Sequence, residues 1–115
     1  MGSIYHITSA GEIERAGRVG QYLPADFGAD GYIHCSYARQ LKGIADSKYR
    51  GRKGLVLVEI DSSRLTCPVL DEPGVEDGER YPHIYGALPM SSVISVREMS
   101  CLEGGSIEVP CNVDA

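Results

Sequence analysis

The stretch GLVLVEI at residues 54–60 holds the longest apolar run of the chain, four residues followed by Glu59 and Ile60. A nearly continuous apolar run of this length, bounded by glycine and acid, is typical of a strand that is covered on both faces. We therefore predict that residues 54–60 form the central strand of a sheet.

The first twenty residues predict a strand followed by a helix. Residues 3–8 alternate in the manner of a strand and are rich in β-branched and aromatic side chains. Ser9 stands three residues before Glu12, which is the spacing of a capping box, and apolar and small residues follow at helical intervals. A helix over 10–19 is therefore expected, with Gly20 placed to end it.

Between this helix and the central strand, the pattern predicts short extended pieces and a second helix. Residues 21–23 are expected to be extended, residues 25–30 to form a turn-rich connection, and residues 32–35 to form a short strand. Ser36 resembles an N-cap, and apolar residues at helical spacing follow it. The second helix is predicted over 37–49.

After the central strand, residues 61–64 indicate a turn or a short helical piece, and residues 67–70 another strand. The segment DEPGVEDGE at 71–79 is acidic and contains glycine and proline, so we expect an exposed, mobile loop. Residues 93–99 alternate as a final long strand, and residues 107–109 can add an edge strand. Together these elements predict an α+β fold with two main helices packed on a bent, mostly antiparallel sheet.

Composition and length favour one globular domain over residues 1–115, with a polar tail from 100 to 115. No apolar run is long enough to cross a bilayer and no basic leader precedes one, so a soluble, cytoplasmic protein is expected. The formal charge of −5 argues against a general nucleic-acid surface. One basic cluster, formed by Lys48, Arg50, Arg52 and Lys53, is interpreted as a solvated helix end, with an anion site as the alternative.

Four cysteines occur without the close spacing of a zinc site or a redox pair. They are Cys35, Cys67, Cys101 and Cys111. We expect reduced thiols and no metal. Cys35 adjoins His34, but neighbouring strand residues point to opposite faces, which argues against a thiol nucleophile that His34 activates.

The three histidines of the chain concentrate its chemistry. His6 precedes Thr8 by two residues and His34 precedes Ser36 by two residues, so in a strand each imidazole shares a face with a hydroxyl. If the two strands are neighbours, both pairs line one cleft. The alternatives are that each histidine is an ordinary, partly buried residue or that the three bind zinc, although the usual ligand spacing is absent.

His83 lies in RYPHIYG at 80–86, where a proline sets the chain direction and Gly86 permits close backbone approach. Glu72 and Glu79 lie at either end of the acidic segment before it, and either carboxylate can serve as a general base or hold a ribose hydroxyl. Phosphate-loop, dinucleotide-binding, serine-hydrolase and zinc-protease motifs are all absent from the sequence.

The motifs IYHIT (4–8), DGYIHCS (30–36) and YPHIYGALP (81–89), in this order with LVLVEID between the last two, resemble the small, mainly bacterial proteins of domain of unknown function 952. The resemblance covers residues 4–99. This family looks like a compact relative of the ADP-ribosyltransferase and RNA 2′-phosphotransferase fold, in which a split β-sheet clamps NAD.

The resemblance implies an NAD-binding site and a transfer reaction at the nicotinamide riboside. Residues expected to bind the cofactor are His6, Thr8, Tyr22, Ser36 and Tyr85, and those expected to act in catalysis are His34, His83 and Glu72. The third catalytic position, where relatives often carry glutamate, has His83, Glu79 and Glu72 as candidates.

Three hypotheses follow. The first is an ADP-ribosyl or phosphate transferase that binds NAD, with a small molecule or nucleotide as its partner and no nucleic acid or membrane. The second is a non-catalytic domain that binds a nucleotide, a metabolite or a protein. The third is a metal-dependent enzyme that uses the three histidines.

Overall fold

The computed structural model describes residues 2–74 and 78–110, and within them nine strands and three α-helices. The strands are β1 Ser3–Ser9, β2 Gln21–Tyr22, β3 Ile33–His34, β4 Leu55–Asp61, β5 Val69–Pro73, β6 Arg80–Ile84, β7 Leu88–Pro89, β8 Val93–Cys101 and β9 Ile107–Glu108. The helices are α1 Ala10–Val19, α2 Phe27–Asp30 and α3 Leu41–Lys48, with short 3₁₀ segments at Ala38–Gln40, Ser62–Arg64 and Met90–Ser92.

Strand β4 is central, as the apolar run predicts. It pairs antiparallel with β1 on one side and with β8 on the other, in a four-stranded sheet of order β1-β4-β8-β9. Side chains of β4 are buried on both faces of this sheet because side chains alternate along a strand and both faces are covered.

Each face of the four-stranded sheet has its own core. On one face, Val56, Val58 and Ile60 pack with Ile13 of α1 and with residues of the smaller sheets. On the other face, Leu55 and Leu57 pack with residues of α3 and β9, which include Leu41, Ala45 and Ile107. A sheet covered in this way accounts for the nearly unbroken apolar sequence of β4.

A second, three-stranded sheet of order β3-β6-β5 and a β2-β7 ribbon complete the antiparallel strand set. His34 pairs with His83 across β3 and β6. The second sheet joins the first through a bridge between Tyr5 and Ser36, whose backbone N–H groups donate to each other's carbonyl oxygens at 2.8 and 2.9 Å. The strands that carry His6 and His34 are therefore neighbours.

Local signals set the ends of α1. The Ser9 hydroxyl accepts a hydrogen bond from the Glu12 backbone N–H at 3.3 Å, and Gly20 ends the helix at φ +100°. A left-handed φ of this kind is strained for residues with a Cβ, so glycine suits the position. The predicted helix over 10–19 is confirmed.

Three local predictions need correction: the turns over 25–30, the N-cap at Ser36 and the helix over 37–49. Residues 25–30 are not only turns, because Phe27–Asp30 forms the one-turn helix α2. Ser36 is not an N-cap, because its backbone N–H and C=O pair with Tyr5; the helical segment begins as 3₁₀ at Ala38 and continues as α3. The backbone of Ser36 instead connects the two sheets through its hydrogen bonds with Tyr5.

The acidic loop and the polar tail are also shorter than predicted. Asp71–Pro73 belongs to β5, so Glu72 sits in a strand, while residues 75–77 lie outside the described part of the chain. In the tail, β8 extends to Cys101, and Ile107 in β9 is fully buried. Its apolar side chain packs in the core beside α3. Residues 111–115 of the tail lie outside the described residues.

The α+β class with antiparallel strands is confirmed. Within the described residues, no helix combines the length and the apolar composition that a bilayer crossing requires. Cys35, Cys67 and Cys101 are free thiols, as predicted, and Cys111 lies outside the described residues.

Candidate functional site

A cleft of about 680 Å³ opens between the first sheet, the second sheet and α3. All three histidines line it. The lining from the sheets includes Tyr5, His6, Ile7, Tyr32, His34, Ser36, Tyr81 and His83, and α3 with the residue after it supplies Ile44, Ser47, Lys48 and Tyr49. A cavity of this size suits a small organic ligand or a nucleotide.

His6 lies at the back of the cleft, where both of its ring nitrogens are engaged. Nδ1 lies 2.6 Å from the backbone oxygen of His34, and Nε2 lies 2.8 Å from the Tyr22 hydroxyl. The Tyr22 hydroxyl also lies 3.1 Å from Oγ1 of Thr8. His6 and Thr8 therefore share one face of β1 as predicted. Their polar side-chain atoms, however, form hydrogen bonds that connect β1 with β2 and β3.

The partners of His6 define its tautomer. A carbonyl oxygen only accepts hydrogen bonds, so Nδ1 carries the proton and Nε2 of the neutral ring accepts from Tyr22. Burial lowers the pKa of His6, and the hydrogen bond to the His34 carbonyl opposes this only in part. The neutral ring is therefore the folded form at neutral pH, and a ligand cannot take a ring nitrogen of His6 without breaking an internal bond.

His83 and Glu72 form a hydrogen-bonded pair across β6 and β5. Nδ1 of His83 lies 2.7 Å from Oε1 of Glu72, and the hydroxyl of Tyr85 donates to the same oxygen at 2.5 Å. Glu72 stands diagonally from His83, because Leu70 is directly opposite His83 in the register. Diagonal neighbours on antiparallel strands are within reach of long side chains.

The shared oxygen keeps Glu72 ionised. The hydrogen bonds from Tyr85 and His83 lower the pKa of Glu72, and the bond to Glu72 raises the pKa of Tyr85 to about 12. An ionised carboxylate only accepts hydrogen bonds, so Nδ1 of His83 carries the hydrogen and donates it, and Nε2 of the ring is left as an acceptor. Within the described residues Nε2 of His83 has no hydrogen-bond partner.

Tyr32 is a residue of this site that the sequence did not single out. Its ring stacks on His83 with centroids 3.9 Å apart and 18° between the planes, and it also touches His34 and Tyr85. Gly31 precedes it at φ +82° and ends α2. The sequence signal for Tyr32 is the Gly31–Tyr32 pair just before β3. A glycine with a left-handed φ turns the chain, so the side chain after it can fold back onto the strand that follows.

His34 is more exposed than the other two histidines. Its Nε2 lies 2.8 Å from Oδ2 of Asp30, and its side chain is 53% exposed. Its ring lies edge-on to His83, with centroids 5.5 Å apart. His34 is thus the exposed histidine of the cleft, whereas His83 and Ser36, which also line it, are buried.

The remaining candidates separate from this group. Glu79 does not approach His83; its Oε1 accepts from the buried side chain of Gln40 at 3.1 Å. Cys35 is buried, and burial raises the pKa of its thiol, which agrees with its exclusion as a nucleophile. Of the two acidic candidates, Glu72 is therefore the carboxylate beside the third histidine.

The structure also bears on metal binding. His6 has no free nitrogen, so a site made of the three histidines would have to break the bond to His34 or to Tyr22. A different group, Asp26, Asp30 and His34, has ligand atoms within 4.8 Å of one another on the exposed rim of the cleft. Such donors can hold a divalent cation, but exposed carboxylates of this kind are common without one.

Comparison with known proteins gives the family and the fold. A family model described as protein of unknown function (DUF952) matches residues 7–96. The crystal structure of protein CC0527 from Caulobacter crescentus is 30% identical over 93% of this chain and 94% of that one, with a TM-score of 0.84. The solution NMR structure of the same protein is 31% identical over 91% of this chain and 90% of that one, with a TM-score of 0.78. Among curated proteins, none matches.

These relatives carry no stated activity, so the roles assigned to the histidines and to Glu72 stay predictions. The same holds for the relation to ADP-ribosyltransferases and for NAD binding.

Proposed function

The chain belongs to the DUF952 family of proteins of unknown function. From the residues of the cleft, we propose that it is a transferase that acts on a small nucleotide substrate and uses His83 and Glu72 as an acid–base pair. NAD is the first candidate substrate. The observation that carries the proposal is the Glu72–His83 hydrogen bond at the cleft, with Nε2 of His83 left without a protein partner among the described residues.

A histidine oriented in this way suits general base catalysis. The carboxylate of Glu72 holds the ring in the tautomer that is basic at Nε2 and stabilises the imidazolium that forms after proton uptake. The stacked ring of Tyr32 restricts the imidazole further and helps to bury it, since the side chain of His83 is only 7% exposed. Electrostatic interactions in such a site are stronger than in water.

For ADP-ribosyl transfer, the balanced reaction breaks the bond between the ribose anomeric carbon and the nicotinamide nitrogen, whose electron pair leaves with nicotinamide. The acceptor oxygen bonds to the anomeric carbon, and its proton passes to Nε2 of His83 and then to solvent. The anionic carboxylate of Glu72 favours the positive charge that develops on the ribosyl group. In phosphate transfer, the same base would take the proton of the attacking hydroxyl as its oxygen bonds to phosphorus. The bond from phosphorus to the leaving oxygen would break, and its electron pair would stay with that oxygen.

The decisive experiment measures nicotinamide release from NAD by chromatography. The wild type should release nicotinamide, and His83→Gln and Glu72→Gln should each lower the rate by about 10²–10⁴-fold, the usual contribution of a general base. Glu98→Gln is the matched control, because Glu98 is an exposed carboxylate on β8 outside the cleft. No release by the wild type in the presence of an acceptor hydroxyl such as a short alcohol would count against ADP-ribosyl transfer.

NAD binding is tested separately by thermal unfolding. His34→Ala is the better variant for this purpose, because His34 is exposed and His6→Ala would remove an internal hydrogen-bond network. NAD should raise the melting temperature of the wild type and raise it less in His34→Ala. If neither NAD nor ADP-ribose shifts the transition, NAD is the wrong ligand.

A binding domain without turnover is the second candidate function. It is favoured by the ring of Tyr32, which stacks on His83 and leaves it nearly buried. This candidate predicts ligand stabilisation with no product after long incubation, and equal stabilisation in the wild type and in Glu72→Gln.

A further inference from the structure

A basic segment borders the cleft on the side of α3. Residues 48–53, which we call the basic lip, contain four of the eleven Lys and Arg residues of a chain whose formal charge is −5. Lys48 lines the cleft, and the guanidinium carbon of Arg52 lies 5.2 Å from the ring centroid of Tyr49, which also lines it. Two cations of the basic lip, Lys48 and Arg52, thus stand at one wall of this cleft.

Helix stabilisation explains only part of the basic lip. A cation in the last turn of α3 offsets the partial negative charge of the helix end, and Lys48 has this position. Arg52 and Lys53 lie beyond the helix, where this effect has faded. Asp46, the one acidic residue of α3, is engaged by Lys42, Ser106 and the Ile107 N–H.

A second group of charges at the cleft is acidic. Asp26 lines the cleft, Asp30 is hydrogen-bonded to His34, and ionised Glu72 lies beside His83. A phosphate beside His34 and His83 would lie close to the carboxylates that these histidines contact, whereas a phosphate at the basic lip would lie close to Lys48 and Arg52. This difference in charge therefore favours one orientation of a phosphate-bearing ligand in the cleft.

We infer that the cleft binds a phosphate-bearing small molecule whose phosphate lies on the basic lip and whose other end points to Tyr32 and His83. The second half of this orientation rests on the proposed function, because it places the reacting end at His83. Phosphate recognition by the lip is measured without turnover, so the two ideas can fail separately.

Calorimetry at low ionic strength with three probes tests the inference: inorganic pyrophosphate, ADP and adenosine. ADP should bind about three- to tenfold more tightly than adenosine, which is the range that two exposed charge pairs can supply, and added salt should reduce the difference. The double variant R52Q/K53Q should lose this preference and should bind pyrophosphate more weakly. Arg18 is an exposed cation on α1 outside the cleft, so Arg18→Gln should retain the preference for ADP and the affinity for pyrophosphate.

Equal binding of ADP and adenosine by the wild type would overturn the inference, as would an ADP preference that survives in R52Q/K53Q. Tighter binding of a short RNA, lost in the same double variant, would replace the small molecule with a nucleic acid and also overturn it. An ADP preference with no turnover on any substrate would reject the proposed function and leave the basic lip as a phosphate site.

Discussion

The buried His6 should make the fold sensitive to acid. Burial lowers its pKa in the folded state, whereas the unfolded chain has the ordinary value of about 6.5. Below pH 6.5 the unfolded state therefore binds more protons at this site than the folded state does, and stability falls as the pH falls. The contribution of His6 is fully present above pH 6.5 and is lost as the pH drops toward the folded-state pKa.

The magnitude follows from linkage. Each pH unit between the two pKa values removes up to about 1.4 kcal/mol of unfolding free energy through this one group. The hydrogen bonds do not prevent protonation, because the Tyr22 hydroxyl can accept from a protonated Nε2 while it donates to Thr8. The penalty comes from placing a charge on a side chain that is only 7% exposed.

The matched variant is His6→Asn, whose amide can still donate to the His34 carbonyl but does not titrate. Urea unfolding, followed by circular dichroism from pH 5 to pH 7.5, gives the free energy of each protein. The difference between wild type and variant should shrink by up to about 1.4 kcal/mol for each pH unit below 6.5. His34→Asn, at an exposed position, should retain the acid sensitivity of the wild type. A difference that stays constant with pH would refute the neutral, buried His6.

Three further predictions concern packing and reactivity. Tyr22→Phe should lower the unfolding free energy by about 1–3 kcal/mol in urea titrations, because it leaves Nε2 of His6 without a donor; an unchanged midpoint would contradict this network. Gly86→Ala should cost about 1–3 kcal/mol, because the new Cβ would lie 2.8 Å from Cβ of Cys67, and the loss should be smaller in a Cys67→Gly background, which removes that atom. The thiol of Cys35 should resist alkylation, measured by peptide mass spectrometry, until the protein unfolds, because burial raises its pKa; rapid labelling of the folded protein would show that it is accessible.

The site was only partly predictable. The H-x-[ST] pattern predicts that His6 and Thr8 share one face of β1, and in the structure both contact Tyr22, which the pattern does not predict. The choice between Glu72 and Glu79 was open, because both are near His83 in sequence and the acidic segment looked like a loop. Only the pairing of β5 with β6 decides it, because it puts Glu72 one diagonal step from His83.

The sequence by itself determined the class of the fold and its local boundaries. Four apolar residues in a row predict a strand covered on both faces, and Ser9 and Gly20 mark the two ends of α1, because these signals act between residues that are close along the chain. Only the tertiary structure decided which groups meet in the cleft. The stacking of Tyr32 on His83 depends on strand pairing between segments about fifty residues apart, and such pairing leaves no local trace in the sequence.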